Sequence, residues 1–66
     1  MSSSSDAAEL SSLRAQLEDL TLRIVTVGDK YRETDDSAIS GELDHAERSL
    51  LAAGRSVDRA IGLLSR

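Results

Sequence analysis

The sequence predicts an all-α fold: an antiparallel two-helix hairpin, coiled-coil-like, that dimerises into a four-helix bundle. Two apolar stripes carry the first half of that expectation. Leu10, Leu13, Leu17, Leu20, Ile24, Val27 and Tyr31 recur at alternating steps of three and four, as do Ile39, Leu43, Ala46, Leu50, Ala53, Val57, Ala60 and Leu64. Such spacing keeps apolar side chains on one face of a helix. The stripes also mirror each other about residue 35: Tyr31 answers Ile39, Val27 answers Leu43, Leu20 answers Leu50, and so on out to Leu10 and Ala60. A tight turn there sets every apolar layer opposite another. The second half comes from size. A chain of 66 residues buries too small a share of its surface to be comfortably stable alone, and one thin seam between two helices barely offsets the entropy of ordering them.

Taken in order, residues 1–5 are polar and low in complexity, and a disordered tail is expected there. Helix 1 is expected over about 6–33. Asp6 and Glu9 have the spacing of a reciprocal cap, and both charges suit the positive end of a helix. Gly28 and the β-branched run Ile24, Val25, Thr26 and Val27 weaken this helix locally. The three-four period nevertheless continues on both sides of them, which decides against a strand. Thr34, Asp35 and Asp36 bury nothing apolar and cap well, placing the turn at about 34–36. Helix 2 is then expected over about 37–65, a start that keeps Ile39 in phase and opposite Tyr31. With no proline in the chain, capping and charge alone set the helix ends.

In heptad terms, Leu10, Leu17, Ile24 and Tyr31 take position a of helix 1, with Leu13, Leu20 and Val27 at d. Helix 2 has Leu43, Leu50, Val57 and Leu64 at a, with Ile39, Ala46, Ala53 and Ala60 at d. An antiparallel pair sets a against d, so Leu10, Leu17 and Ile24 each meet an alanine and the helices can approach closely. The g flank, with Glu9, Gln16, Arg23 and Lys30 beside Glu42, Ser49, Ser56 and Leu63, reads as solvated. Its Lys30–Glu42 pair is worth at most about 1 kcal/mol. The e flank differs, because Thr21, Gly28, Gly54 and Ile61 gather there with Val25 and Leu51 just behind and Leu22 at the margin. These seven residues are the expected interaction surface, covered by a second copy or by a larger protein.

Composition excludes several function classes. Eight basic residues against twelve acidic, a net charge of −4 and Tyr31 as the sole aromatic offer neither the basic field nor the stacking platforms of nucleic-acid binding. The absence of cysteine removes disulfides and thiolate metal sites and fits a reducing compartment. No stretch approaches the roughly 18 to 20 apolar residues that span a bilayer. Neither helix backs its stripe with a basic face suited to a membrane surface, and Ser2–Asp6 does not resemble a secretory signal. The expectation is a soluble, cytoplasmic protein. His45 lies outward, with Gly41, Glu42, Arg48 and Ser49 as its helical neighbours, and lacks the converging partners that a base or ligand needs. Asp29, Glu33, Asp35 and Asp36 read as a cap-and-turn cluster, because Ser40 and Ala46 stand where a calcium loop beginning at Asp35 requires glycine and glutamate. Without a phosphate loop, a nucleophile with its base or zinc spacing, the chain is expected to be no enzyme and to take no cofactor, metal or small-molecule substrate.

Ser40-Gly41-Glu42-Leu43-Asp44 early in the second helix, with Leu13-Arg14 and Leu17 in the first, resembles the small two-helix sporulation regulators that carry a Ser-Gln-Glu-Leu-Asp motif. Those proteins dephosphorylate the aspartyl phosphate of a response-regulator receiver domain. The resemblance implies docking on such a domain through Ser40, Glu42 and Asp44. Gly41 stands where that family has glutamine, and an amide is the group that could position water for phosphoryl chemistry. The departure therefore bears on hydrolysis more than on docking. Read without the resemblance, Ser40 and Glu42 belong to a helix first turn, Leu43 is core, and Asp44 pairs with Arg48.

Overall fold

The computed structural model describes the backbone from residue 3 and side chains from residue 5, in each case to residue 66. It holds two helices, α1 over Ser3–Asp29 and α2 over Ser37–Ser65, packed against each other with no strand among the described residues. Met1 and Ser2, part of the expected tail, lie outside the described residues. The remainder of that tail is helical, so α1 begins before the expected cap. Asp6 consequently sits within the first turn, where its charge still favours the unpaired amides of the helix start.

At its other end α1 stops four residues before the expected boundary. Beyond Gly28, a poor helix residue, the backbone tightens: Lys30 N–H donates to the Val27 carbonyl at 3.2 Å and Tyr31 N–H to the Gly28 carbonyl at 3.0 Å. Such three-residue steps close a helix end. Glu33 then takes a left-handed conformation, φ 59°, which turns the chain. The Thr34 hydroxyl stitches the connection to the start of α2, donating to the Tyr31 carbonyl at 2.7 Å and accepting from Asp36 N–H at 3.2 Å. Ser37 N–H donates to the Thr34 carbonyl at 3.1 Å and Ile39 N–H to the Asp36 carbonyl at 2.9 Å, which opens the helix. Asp36 is its N-cap by position, without a capping bond from its side chain. The connection is thus residues 30–36, longer than the expected turn.

The seam between the helices is rotated from the a and d positions toward a and e. Among the described residues Thr21, Gly28, Ser40 and Gly54, all at e, are the buried ones, whereas Leu13, Leu20 and Val27 at d are 41, 44 and 44% exposed. Gly28 lies against Leu43: a Cβ built on it would stand 3.3 Å from the Leu43 Cβ. The physical reason is size. Glycine, serine and threonine along the line of contact let two backbones approach where a line of leucines and valines holds them apart. The buried hydroxyls are satisfied locally, Thr21 Oγ1 by the Leu17 carbonyl at 2.7 Å and Ser40 Oγ by the Ser37 carbonyl at 2.9 Å.

This close seam leaves no interior. Among the described residues no hydrophobic side chain is buried. The radius of gyration is 15.3 Å, against about 11 Å for a compact chain of this length, and the molecule is a rod of 51 × 14 × 13 Å.

Candidate functional site

Turning the seam toward e gives the hairpin two unlike long faces. One carries the d positions. Leu13, Leu20 and Val27 recur every seventh residue along α1, and Ile39, 42% exposed, lies at the loop end of α2 beside the small side chains of Ala46, Ala53 and Ala60. Leu20, Ile24, Val27 and Leu43 line a shallow groove of about 300 Å³ there, with Arg23 at its edge.

The opposite face is tied shut. Arg14 Nε donates to Asp58 Oδ1 at 3.1 Å, joining the first half of α1 to the second half of α2. Toward the loop, Arg32 grips Asp44 with two bonds, Nη2 to Oδ1 at 2.8 Å and Nη1 to Oδ2 at 3.2 Å, while its Nε donates to Asp29 Oδ1 at 2.9 Å. One guanidinium therefore fastens the end of α1, the connection and α2 together. The Arg32 hydrogen bonds hold the Asp44 carboxyl below the ordinary aspartate range, and the same bonds, with Asp44 the larger cause, raise the Arg32 guanidinium. Among the described residues Arg14–Asp58 is the ion pair that joins the two helices directly, while Arg32 bridges them from the connection. Among the described residues the expected Lys30–Glu42 salt bridge is not present, and Arg48, expected to pair with Asp44 within α2, acts on that carboxyl through its charge without a salt bridge.

The seven residues expected to interact divide between these surroundings. Thr21, Gly28 and Gly54 are buried by the hairpin itself, a direct result of the rotated seam. Gly54 sits beneath the Arg14 side chain, whose Cζ would lie 2.9 Å from a Cβ at that position. Val25 and Ile61 are half-buried, and Leu22 and Leu51 are exposed. Thr21, Leu22, Val25 and Leu51 share a groove of about 390 Å³ on the tied face, rimmed by Arg14, Glu18 and Glu47. Its rim is charged.

Ser40, Glu42 and Asp44 are not brought together. Ser40 is buried, Asp44 is half-buried in the grip of Arg32, and Glu42 is exposed. Two residues along an α-helix is a rotation of about 200°, so Glu42 lies on the far side of α2 from both. His45 is exposed. No group of three or more histidine, aspartate or glutamate side chains among the described residues is placed to hold a metal ion, and no helix is long and apolar enough to cross a membrane.

The sequence did carry a signal for the exposed d face. Thr21 and Gly28 on α1, and Ser40 and Gly54 on α2, fall on one heptad position, and a line of small residues marks where backbones meet. Assigning that line to the seam frees Leu13, Leu20, Val27 and Ile39. Comparison with protein-family models, with curated proteins and with solved structures finds no match to this chain.

Proposed function

We propose that this hairpin is a non-enzymatic assembly module that completes its core by packing the d face of α1 and α2 on a second copy, giving a four-helix bundle. One observation carries the reading: a folded hairpin without a single buried hydrophobic side chain among its described residues, and with Leu13, Leu20, Val27 and Ile39 each more than two-fifths exposed on one face. Burying a leucine, isoleucine or valine fully is worth about 1.5 to 3 kcal/mol. Covering that face on each of two molecules supplies the stabilisation that the seam alone withholds. The tied face is the weaker candidate, since salt bridges and a charged rim occupy its edges.

The test contrasts the two faces. Leu20→Glu places a charge at the centre of the d face and Leu51→Glu places one on the tied face. Sedimentation equilibrium should give a dimer mass for the unaltered chain and for Leu51→Glu, and a monomer mass for Leu20→Glu. The reverse pattern would move the interface to the flank of Leu22, Val25 and Leu51.

A further inference from the structure

We infer that the second copy packs with its α2 over α1 and its α1 over α2, about a twofold axis along the rod, so that both loops lie at one end of the bundle. This geometry rests on the proposed dimer and specifies it. The long side of the rod measures 51 × 14 Å, about 700 Å² for each copy, close to the roughly 800 Å² per partner of a stable interface. A twofold interface must complement itself, and two stacked hairpins can do so with α1 on α2 or with α1 on α1. Size separates these arrangements. The d positions of α1 hold Leu13, Leu20 and Val27, and those of α2 beside them hold Ala46, Ala53 and Ala60. With α1 on α2, Leu13 meets Ala60 of the second copy, Leu20 meets Ala53 and Val27 meets Ala46, each layer occurring twice. One large and one small side chain in every layer let the hairpins interdigitate at even spacing. With α1 on α1, large residues meet large along one edge and alanines meet alanines along the other, so the wide edge holds the narrow one open.

The hairpin supplies the register. Rotation about an axis along the rod leaves heights unchanged, so residues level within one hairpin are level between copies. Gly28 lies against Leu43, and Leu20 is about 12 Å from the first along α1 while Ala53 is about 15 Å from the second along α2. Leu20 and Ala53 are thus level to within about 3 Å, roughly half a helical turn. Ile39, a large side chain at d in α2, lies about 6 Å loopward of Leu43 and so past Asp29, the end of α1, where no leucine opposes it. At the flanking edges Glu9 faces Leu63 of the second copy, Gln16 faces Ser56 and Arg23 faces Ser49, with no like charges opposed. Two acidic connections share one end, but Glu33, Asp35 and Asp36 are exposed, and physiological salt screens charges more than about 8 Å apart.

The chain contains no cysteine, so Ser65→Cys, exposed at the end of α2, places one spin label on each copy of the full chain. Pulsed dipolar spectroscopy should give a separation below about 30 Å, as expected for labels at the same end of a bundle whose helix axes lie 8 to 10 Å apart. With α1 on α1 the labels would sit at opposite ends, more than about 40 Å apart along an α2 of 29 residues. That longer distance in a protein of dimer mass would overturn the inference and leave the dimer standing. A second measurement reads the layers. Leu20→Cys mixed with Ala53→Cys should oxidise to a mixed disulfide dimer in several-fold excess over what either variant forms alone. Leu20→Cys joining to itself as readily as to Ala53→Cys would overturn the packing. A monomer mass for the unaltered chain would remove the dimer itself, and the geometry with it.

Discussion

Single residues in this hairpin have effects that their type alone does not announce. Gly54 lies in the middle of α2, where glycine costs about 1 kcal/mol relative to alanine, and the space above it is occupied by the end of a flexible side chain, Arg14. Gly54→Ala should therefore gain up to about 1 kcal/mol of helix stability while displacing Arg14 from Asp58, an exposed pair worth at most about 1 kcal/mol. Urea denaturation should show a small net change in the native background and the full gain in an Arg14→Ala background. Glu33 holds a left-handed backbone that costs an L-residue about 1 to 2 kcal/mol. Part of that is recovered by glycine, whose greater freedom in the unfolded chain offsets the rest. Glu33→Gly should raise stability by up to about 1 kcal/mol in the same measurement. Asp44 gives a pH signature. Its folded carboxyl is held below the ordinary aspartate value, so its contribution is fully present above about pH 4 and is lost as pH falls through the lower folded value. The difference in Tm between the native chain and Asp44→Asn should be constant near neutrality and shrink toward zero in acid below about pH 4.

At the scale of elements, the two helices were legible in the sequence and their seam was not. A three-four stripe specifies an apolar arc at least 100° wide, which is enough to identify Leu10 through Tyr31 and Ile39 through Leu64 as helical faces. It does not specify which edge of the arc meets the neighbour. Leu13, Leu20 and Val27 look like core by hydrophobicity, whereas Thr21, Gly28 and Gly54 are core by closeness of approach. Of the expected surface, Thr21, Gly28 and Gly54 are taken up by the seam while Leu22, Val25, Leu51 and Ile61 stay outside it, and the row of Leu13, Leu20 and Val27 is exposed as well. The early end of α1 was equally hidden, because the apolar period continues to Tyr31 while the backbone has already tightened at Lys30. Gly28 tests the seam directly. A Cβ there would meet the Leu43 Cβ at 3.3 Å, so Gly28→Val should force the helices apart and destabilise the fold by about 1 to 3 kcal/mol, while Val27→Ala should leave the hairpin seam intact and weaken assembly instead. Thermal unfolding of both variants, read together with their sedimentation, separates the two effects.

For the whole molecule, a slender rod without an interior sets the question that function must answer. On the proposed reading, a chain that buries none of its described hydrophobic side chains completes itself on a partner, and its stability is then inseparable from the concentration of that partner. The central claim, that the partner is a second copy on the d face, is tested most directly by following helicity by circular dichroism and mass by sedimentation equilibrium across one dilution series. A dimer at high concentration, with mass and helicity lost together on dilution, is the predicted result. A monomer that keeps its full helicity at micromolar concentration would contradict it.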